Sequence, residues 1–213
     1  MGIVAKDESI RIEKLALGPF GTNSYIITCL KTADSVLVDA PAQAGEILKR
    51  LKGTNPRYLL LTHTHMDHIG ALSELKSELG IPVSVHPLDA KNLPLSPDVS
   101  LADDDTISFG EIELKVLHTP GHTPGSVCFL RGKYLVSGDT IFPGGPGKTH
   151  SPANLRQIIK SITSKIFVLP EDTHLFPGHG DSTILGKEKA EFHVFSSRSH
   201  DPNLCGDVLW LST

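Results

Sequence analysis

The chain has 213 residues, 39% of them hydrophobic and 21% charged, with a formal net charge of -4 and a pI near 6.2. A chain of that length and composition buries a sizeable core as a single globular domain. The absence of any basic run excludes the phosphate-backbone footprint of a nucleic-acid-binding protein. Charges across residues 1–13 leave no apolar core for a signal peptide, and no apolar run is long enough to span a bilayer. A cytoplasmic protein without membrane contact is therefore expected. Cys29, Cys128 and Cys205 are odd in number and widely spaced, as reduced structural thiols are.

In chain order, residues 10–17 alternate as a strand, Gly18 to Gly21 form a turn, and residues 24–30 and 35–38 read as strands. Residues 42–51 carry Ala44, Ile47, Leu48 and Leu51 at helical spacing, with Gly53 as the stop. A strand over 58–61 leads into a polar segment, then a helix over 69–79 and a short strand at 83–85. The Pro-rich, acidic stretch 92–105 is expected to pass over the surface near that segment. Its Asp103, Asp104 and Asp105 are read as a solvated turn rather than a cation site. The second half repeats the plan with strands at 106–109, 112–117, 127–130 and 134–136. A helix over 152–162 follows, with Ser151 as N-cap and Pro152 in its first turn. Strands at 166–169 and 175–176, a helix at 184–194 and an apolar tail over 202–211 complete the chain. The tail is expected to pack onto the domain.

The polar segment after the 58–61 strand is Thr62-His63-Thr64-His65-Met66-Asp67-His68-Ile69-Gly70. Four imidazoles and carboxylates within six residues are too many for chance hydrogen bonds, and neutral imidazole and carboxylate suit Zn²⁺, Fe or Mn. The loop after a strand's carboxyl end is also where α/β folds build sites. Further histidines and a carboxylate lie in Gly-rich contexts: His122 in Thr-Pro-Gly-His-Thr-Pro-Gly, Asp139 in Ser-Gly-Asp-Thr, and His179 in Phe-Pro-Gly-His-Gly. Asp39, at the end of the 35–38 strand, is a candidate to accept the outer N–H of a metal-binding imidazole. His118 could approach the site. His86, His174, His193 and His200 read as ordinary hydrogen-bonded loop residues.

The His63-x-His65-x-Asp67-His68 signature, with His122, Asp139 and His179 following in order, resembles the metallo-β-lactamase superfamily from about Gly21 to Gly180. The resemblance implies an α+β fold, a four-layer αββα sandwich in one domain over residues 1–213. It also implies that His63, His65 and His122 bind one metal, Asp67, His68 and His179 a second, and Asp139 both. Asp67 would in addition orient the attacking water. Two divalent ions, zinc foremost with iron or manganese as alternatives, would share a hydroxide that attacks a carbonyl. The aspartate at 139 and the absence of a cysteine near the motifs argue against penicillin hydrolysis.

Residues 138–148, Gly-Asp-Thr-Ile-Phe-Pro-Gly-Gly-Pro-Gly-Lys, are similar to hydroxyacylglutathione hydrolases of the glyoxalase II type. The similarity implies that Lys148 contacts the substrate, with His150 where those enzymes carry a tyrosine. Only about 33 residues follow Gly180, and no counterpart of the helical glutathione-binding domain of long glyoxalase II is therefore expected. Lys187 and Lys189 are possible replacements for its basic groups. The expected activity is hydrolysis of a small-molecule thioester of the S-2-hydroxyacylglutathione kind, or of a related ester, by a monomer or homodimer. The alternatives are a mononuclear iron persulfide dioxygenase using His63, His122 and Asp139, a lactone hydrolase, and a non-catalytic metal-binding scaffold.

Overall fold

Period-two alternation of apolar side chains produces two sheets. In the computed structural model, which describes residues 2–213, β1 (Gly2–Lys6), β2 (Ile10–Leu17), β3 (Thr22–Cys29) and β4 (Asp34–Val38) form an antiparallel meander. Helix α1 (Ala44–Leu51) crosses to β5 (Asn55–Leu60), which runs parallel to β4. Helices α2 (Met66–Ile69) and α3 (Leu72–Leu79) lead to β6 (Val83–Val85), and α4 (Pro87–Ala90) leads to β7 (Val99–Ser100). This first sheet thus has seven strands in sequence order.

The second sheet starts with β8 (Thr106–Phe109), β9 (Ile112–His118), β10 (Val127–Arg131) and β11 (Tyr134–Gly138), all antiparallel. A separate pair, β12 (Ile141–Phe142) and β13 (Gly145–Pro146), precedes α5 (Pro152–Ser161). Strand β14 (His174–Pro177) then adds parallel to β11, β15 (Thr183–Ile184) closes the edge, and α6 (Leu185–Ser196) follows. Among the described residues, no helix is long and apolar enough to cross a membrane.

The alternation sorts side chains into three cores and so fixes four layers. Ile10, Ile12, Tyr25, Ile27, Val36, Val38 and Leu60 of the first sheet meet Leu114, Val116, Val127, Phe129, Val136 and Phe176 of the second. Their neighbours Leu15, Leu17, Ile26, Leu37 and Leu59 point outward, onto Ala44, Ile47 and Leu51 of α1 and Leu72 and Leu75 of α3. On the far side, Leu117, Cys128, Leu135 and Leu175 pack beneath Leu155 and Ile158 of α5. The expected αββα sandwich is the observed fold.

Two local expectations are corrected. The single helix over 69–79 is two helices, because residues 40–41 thread between them. Ala40 N–H donates to the His68 carbonyl and Ala71 N–H to the Ala40 carbonyl, both at 2.8 Å. Gly70 sits so close to the Pro41 carbonyl that a Cβ there would collide with it. The strand expected at 166–169 is instead the end of a helical run. Residues Ile162–Ile166 continue α5 as a π-helical turn because Ile158, Ile162 and Ile166, four apart, all face the same core. The acidic stretch is the exposed turn that was expected, with Asp103 pairing with Lys165, Asp104 with Lys115 at 2.7 Å, and Asp105 accepting from Ala102 N–H at 2.7 Å. The 92–95 segment passes beside α2 and α3, where Leu93 and Leu95 pack on the first sheet's outer core.

Candidate metal centre

All seven predicted metal ligands come together where the carboxyl ends of β4, β5, β11 and β14 meet. The two sheets are tied at this edge. Val127 N–H donates to the Thr62 carbonyl (2.9 Å) and Asn23 N–H to Gly178 (2.6 Å), while Gly178 N–H donates to Gly138 within the second sheet (2.9 Å). His63 and His65 lie beyond β5, and Asp67 and His68 lie in α2. His122 comes from the β9–β10 loop, Asp139 follows β11, and His179 follows β14. Expected to be a loop, the segment after His65 is a helical turn, which brings Asp67 and His68 toward His179.

The donor atoms form three overlapping groups, each within 4.8 Å: His63, His65 and His122; His63, His68 and Asp139; and Asp67, His68 and His179. His122 Nε2 lies 2.9 Å and His63 Nε2 3.1 Å from His65 Nδ1, and His68 Nε2 lies 3.3 Å from His179 Nε2. The outer nitrogens identify the tautomers. His68 Nδ1 donates to Asp39 Oδ2 (2.8 Å), His122 Nδ1 to the Lys148 carbonyl (2.8 Å) and His179 Nδ1 to the Phe20 carbonyl (3.3 Å). His63 Nδ1 lies 3.1 Å from Thr62 Oγ1, which donates onward to Asp39 Oδ2 at 2.7 Å. Each Nε2 therefore turns a lone pair inward. Lone pairs facing one another at such separations repel unless a cation lies among them, and ligand atoms around a zinc-sized ion sit about 3–3.5 Å apart.

Asp139 completes the fit. Its Oδ1 is 3.4 Å from His68 Nε2, while its Oδ2 is 3.5 Å from His122 Nε2 and 3.6 Å from His179 Nε2. The buried Oδ1 has no hydrogen-bond partner, an expensive orphan unless a cation satisfies it. Burial would raise the Asp139 carboxyl, but the close imidazoles of His68, His63 and His122 hold it well below the carboxylate range. Burial would lower His68, yet Asp39 and Asp139 push it up to about 10. His63, with burial and neighbouring imidazoles acting together, is held well below its ordinary value. The field at His68 thus favours positive charge, which a divalent ion would supply.

Several positioning residues were not legible beforehand. Thr22 Oγ1 donates to Asp67 Oδ2 at 3.0 Å, and Tyr25 Oη and Asn23 Nδ2 donate to the Pro177 carbonyl at 2.7 and 2.9 Å, fixing the turn that carries His179. Buried Asp89 accepts from Thr123 Oγ1 (2.7 Å) and Gly125 N–H (2.8 Å), which holds the His122 loop. Asp39 lies where it was expected, and its backbone is left-handed with φ of +60°. A Cβ at Gly178 would collide with Asp139 Oδ1, so glycine there makes the room for the cluster.

A cavity of about 320 Å³ opens beside the cluster, lined by His122, Asp139 and His179 and by Phe142, Pro143, Pro146, Lys148 and residues 207–209. Lys148 is at its mouth, 3.3 Å from Asp207. His150 is exposed and outside that lining, because buried Thr149 pairs with Gly206 and carries the chain away toward Ser151. Lys187 pairs with Glu191 and Lys189 donates to the Leu169 carbonyl, so neither reaches the cluster. His118 stacks on His86 with ring centroids 4.0 Å apart, and its Nε2 meets the Pro124 carbonyl.

The family model described as the metallo-beta-lactamase superfamily matches residues 17–183. An uncharacterized protein of Aquifex aeolicus is 34% identical, over 87% of this chain and 96% of its own. A hydroxyacylglutathione hydrolase of Haemophilus influenzae is 31% identical over 78% and 89% respectively. Among solved structures, BLEG-1 B3 metallo-beta-lactamase is similar with a TM-score of 0.75 and 31% identity, covering 84% of this chain and 96% of that one. ETHE1 from Myxococcus xanthus has a TM-score of 0.75 and 27% identity, over 84% and 81%. TTHA1623 in a di-iron-bound form has a TM-score of 0.71 and 31% identity, over 83% and 96%. The chain belongs to the metallo-beta-lactamase superfamily of metal-binding hydrolases.

Proposed function

We propose that this protein hydrolyses a small-molecule thioester of the S-2-hydroxyacylglutathione kind, or a related ester, using two divalent cations, zinc foremost. One observation carries the dinuclear reading. The two oxygens of Asp139 face different parts of the cluster, Oδ1 toward His68 and Oδ2 toward His122 and His179. His63, His65 and His122 would hold one cation, Asp67, His68 and His179 the other, and Asp139 both. Cations so held lower the pKa of water toward about 7 and polarise a carbonyl.

The chain's own residues do the rest. Asp67, the most exposed carboxylate of the cluster and fixed by Thr22, is oriented to accept a proton from water and pass it to solvent. Lys148 at the cavity mouth meets the substrate's polar part. The relative named hydroxyacylglutathione hydrolase supports the thioester reading, and the ETHE1 likeness supports the mononuclear iron dioxygenase as the second.

The test is metal content per chain after purification without added metal, measured beside thiol release from S-lactoylglutathione. Two metals with thiol release are expected. One iron with oxygen uptake on glutathione persulfide would replace the hydrolase by the dioxygenase. Lactone opening without thiol release would keep the hydrolase and change its ester.

A further inference from the structure

The C-terminal segment builds one wall of the cavity beside the cluster. Thr149 and Gly206 exchange backbone hydrogen bonds of 3.1 and 2.9 Å, and Trp210 N–H donates to the Gly144 carbonyl at 2.7 Å. The Trp210 ring is fully buried against Phe192 and Phe195. Anchored at both ends, Asp207, Val208 and Leu209 stand in the cavity wall with Phe142, Pro143 and Pro146. They lie beyond residues 17–183, the part that the family model matches.

Because His122, Asp139 and His179 line the same cavity, a carboxylate or carbonyl held at the cluster projects its substituent along Phe142 and Leu209. Apart from the cluster, the charged side chains lining the cavity are Lys148 and Asp207, which neutralise each other at 3.3 Å. The remaining walls are hydrocarbon, and Leu209 is left 52% exposed although apolar. A volume of about 320 Å³ lies at the small end of the roughly 300–1,000 Å³ typical of ligand pockets. That is enough for a short aliphatic chain.

We infer that this cavity takes an aliphatic acyl chain, and that Leu209 and Phe142 set which length is accepted. The reaction the acyl group undergoes rests on the hydrolase reading above; its binding does not. The experiment titrates straight-chain carboxylates, acetate to octanoate, into the metal-loaded full-length protein and follows the emission of Trp210, the single tryptophan. Kd is expected to fall about fourfold per methylene buried, until the chain outgrows the cavity. Leu209→Glu, at a half-exposed position where the change costs the core little, is expected to collapse the series onto one Kd. A flat series in the wild-type protein, or a gradient that survives Leu209→Glu, overturns the inference. A gradient without turnover of any thioester or ester counts against the hydrolase reading alone.

Discussion

Replacing Asp39 by Asn removes one charge and reverses one hydrogen-bonding face while keeping size and backbone. Asn enters the left-handed region more readily than most non-glycine residues, so keeping the φ of +60° adds little strain of its own. The amide oxygen can still accept from Thr62 N–H, as Oδ1 does now at 2.8 Å. The amide nitrogen, however, replaces Oδ2, which accepts from both Thr62 Oγ1 and His68 Nδ1. To keep a hydrogen bond, His68 must accept at Nδ1 and move its proton to Nε2, the atom facing Asp139 and His179. A protonated Nε2 is not a ligand.

Losing such an outer partner weakens metal binding about 10- to 100-fold. Where His68 instead keeps its Nδ1 proton, two buried donors are left without acceptors, at about 1–3 kcal/mol each before relaxation. A net loss of about 2–4 kcal/mol lowers Tm by about 4–16 °C for a chain of this size. Competition with a chromophoric chelator measures the first effect, and thermal denaturation in excess chelator the second. An Asp39→Asn protein with wild-type metal affinity would refute the tautomer argument, whatever its Tm.

Thr22→Val keeps the shape and removes the donor to Asp67. A stepwise metal titration should then show one of two binding steps weakened about tenfold, the worth of a hydrogen bond to a charged group; two unchanged steps would remove Thr22 from the site. Gly178→Ala places a Cβ against Asp139 Oδ1 and 2.7 Å from His68 Cε1, at a backbone conformation that alanine accepts. Metal per chain, read by atomic emission, should fall while far-ultraviolet circular dichroism holds, and full metal content would contradict the packing. Cys29 and Cys128 are buried and Cys205 is exposed, with burial pushing the Cys128 thiol up to about 11. A disulfide-exchange reagent at pH 8 should titrate one thiol in the native protein and three in denaturant. Two or more native thiols would mean that the core opens at Cys29, between the sheets, or at Cys128, beneath α5.

By itself, the sequence determined what local pattern can encode. Alternation marked the strand over 10–17, and short runs rich in apolar residues marked those over 35–38 and 112–117, without saying which face of each would meet the other sheet. The cluster of His63, His65, Asp67 and His68 was legible since four ligands occupy six consecutive positions. His122, Asp139 and His179 stood out through their glycine-rich contexts, and the sequence pattern gave no separations among them.

Tertiary structure decided everything that depends on chain crossings. Whether residues 66–79 made one helix or two depended on Pro41 passing between them. Whether 166–169 became strand or helix depended on which core the Ile158, Ile162 and Ile166 face met. Thr22 and Asp89 carry no motif, and they acquire their roles from residues 45 and 34 positions away. The apolar tail was visible as apolar. Only the anchoring of Trp210 and Gly206 made it a wall of the site, because a hydrophobic segment specifies that it will be buried but not against what.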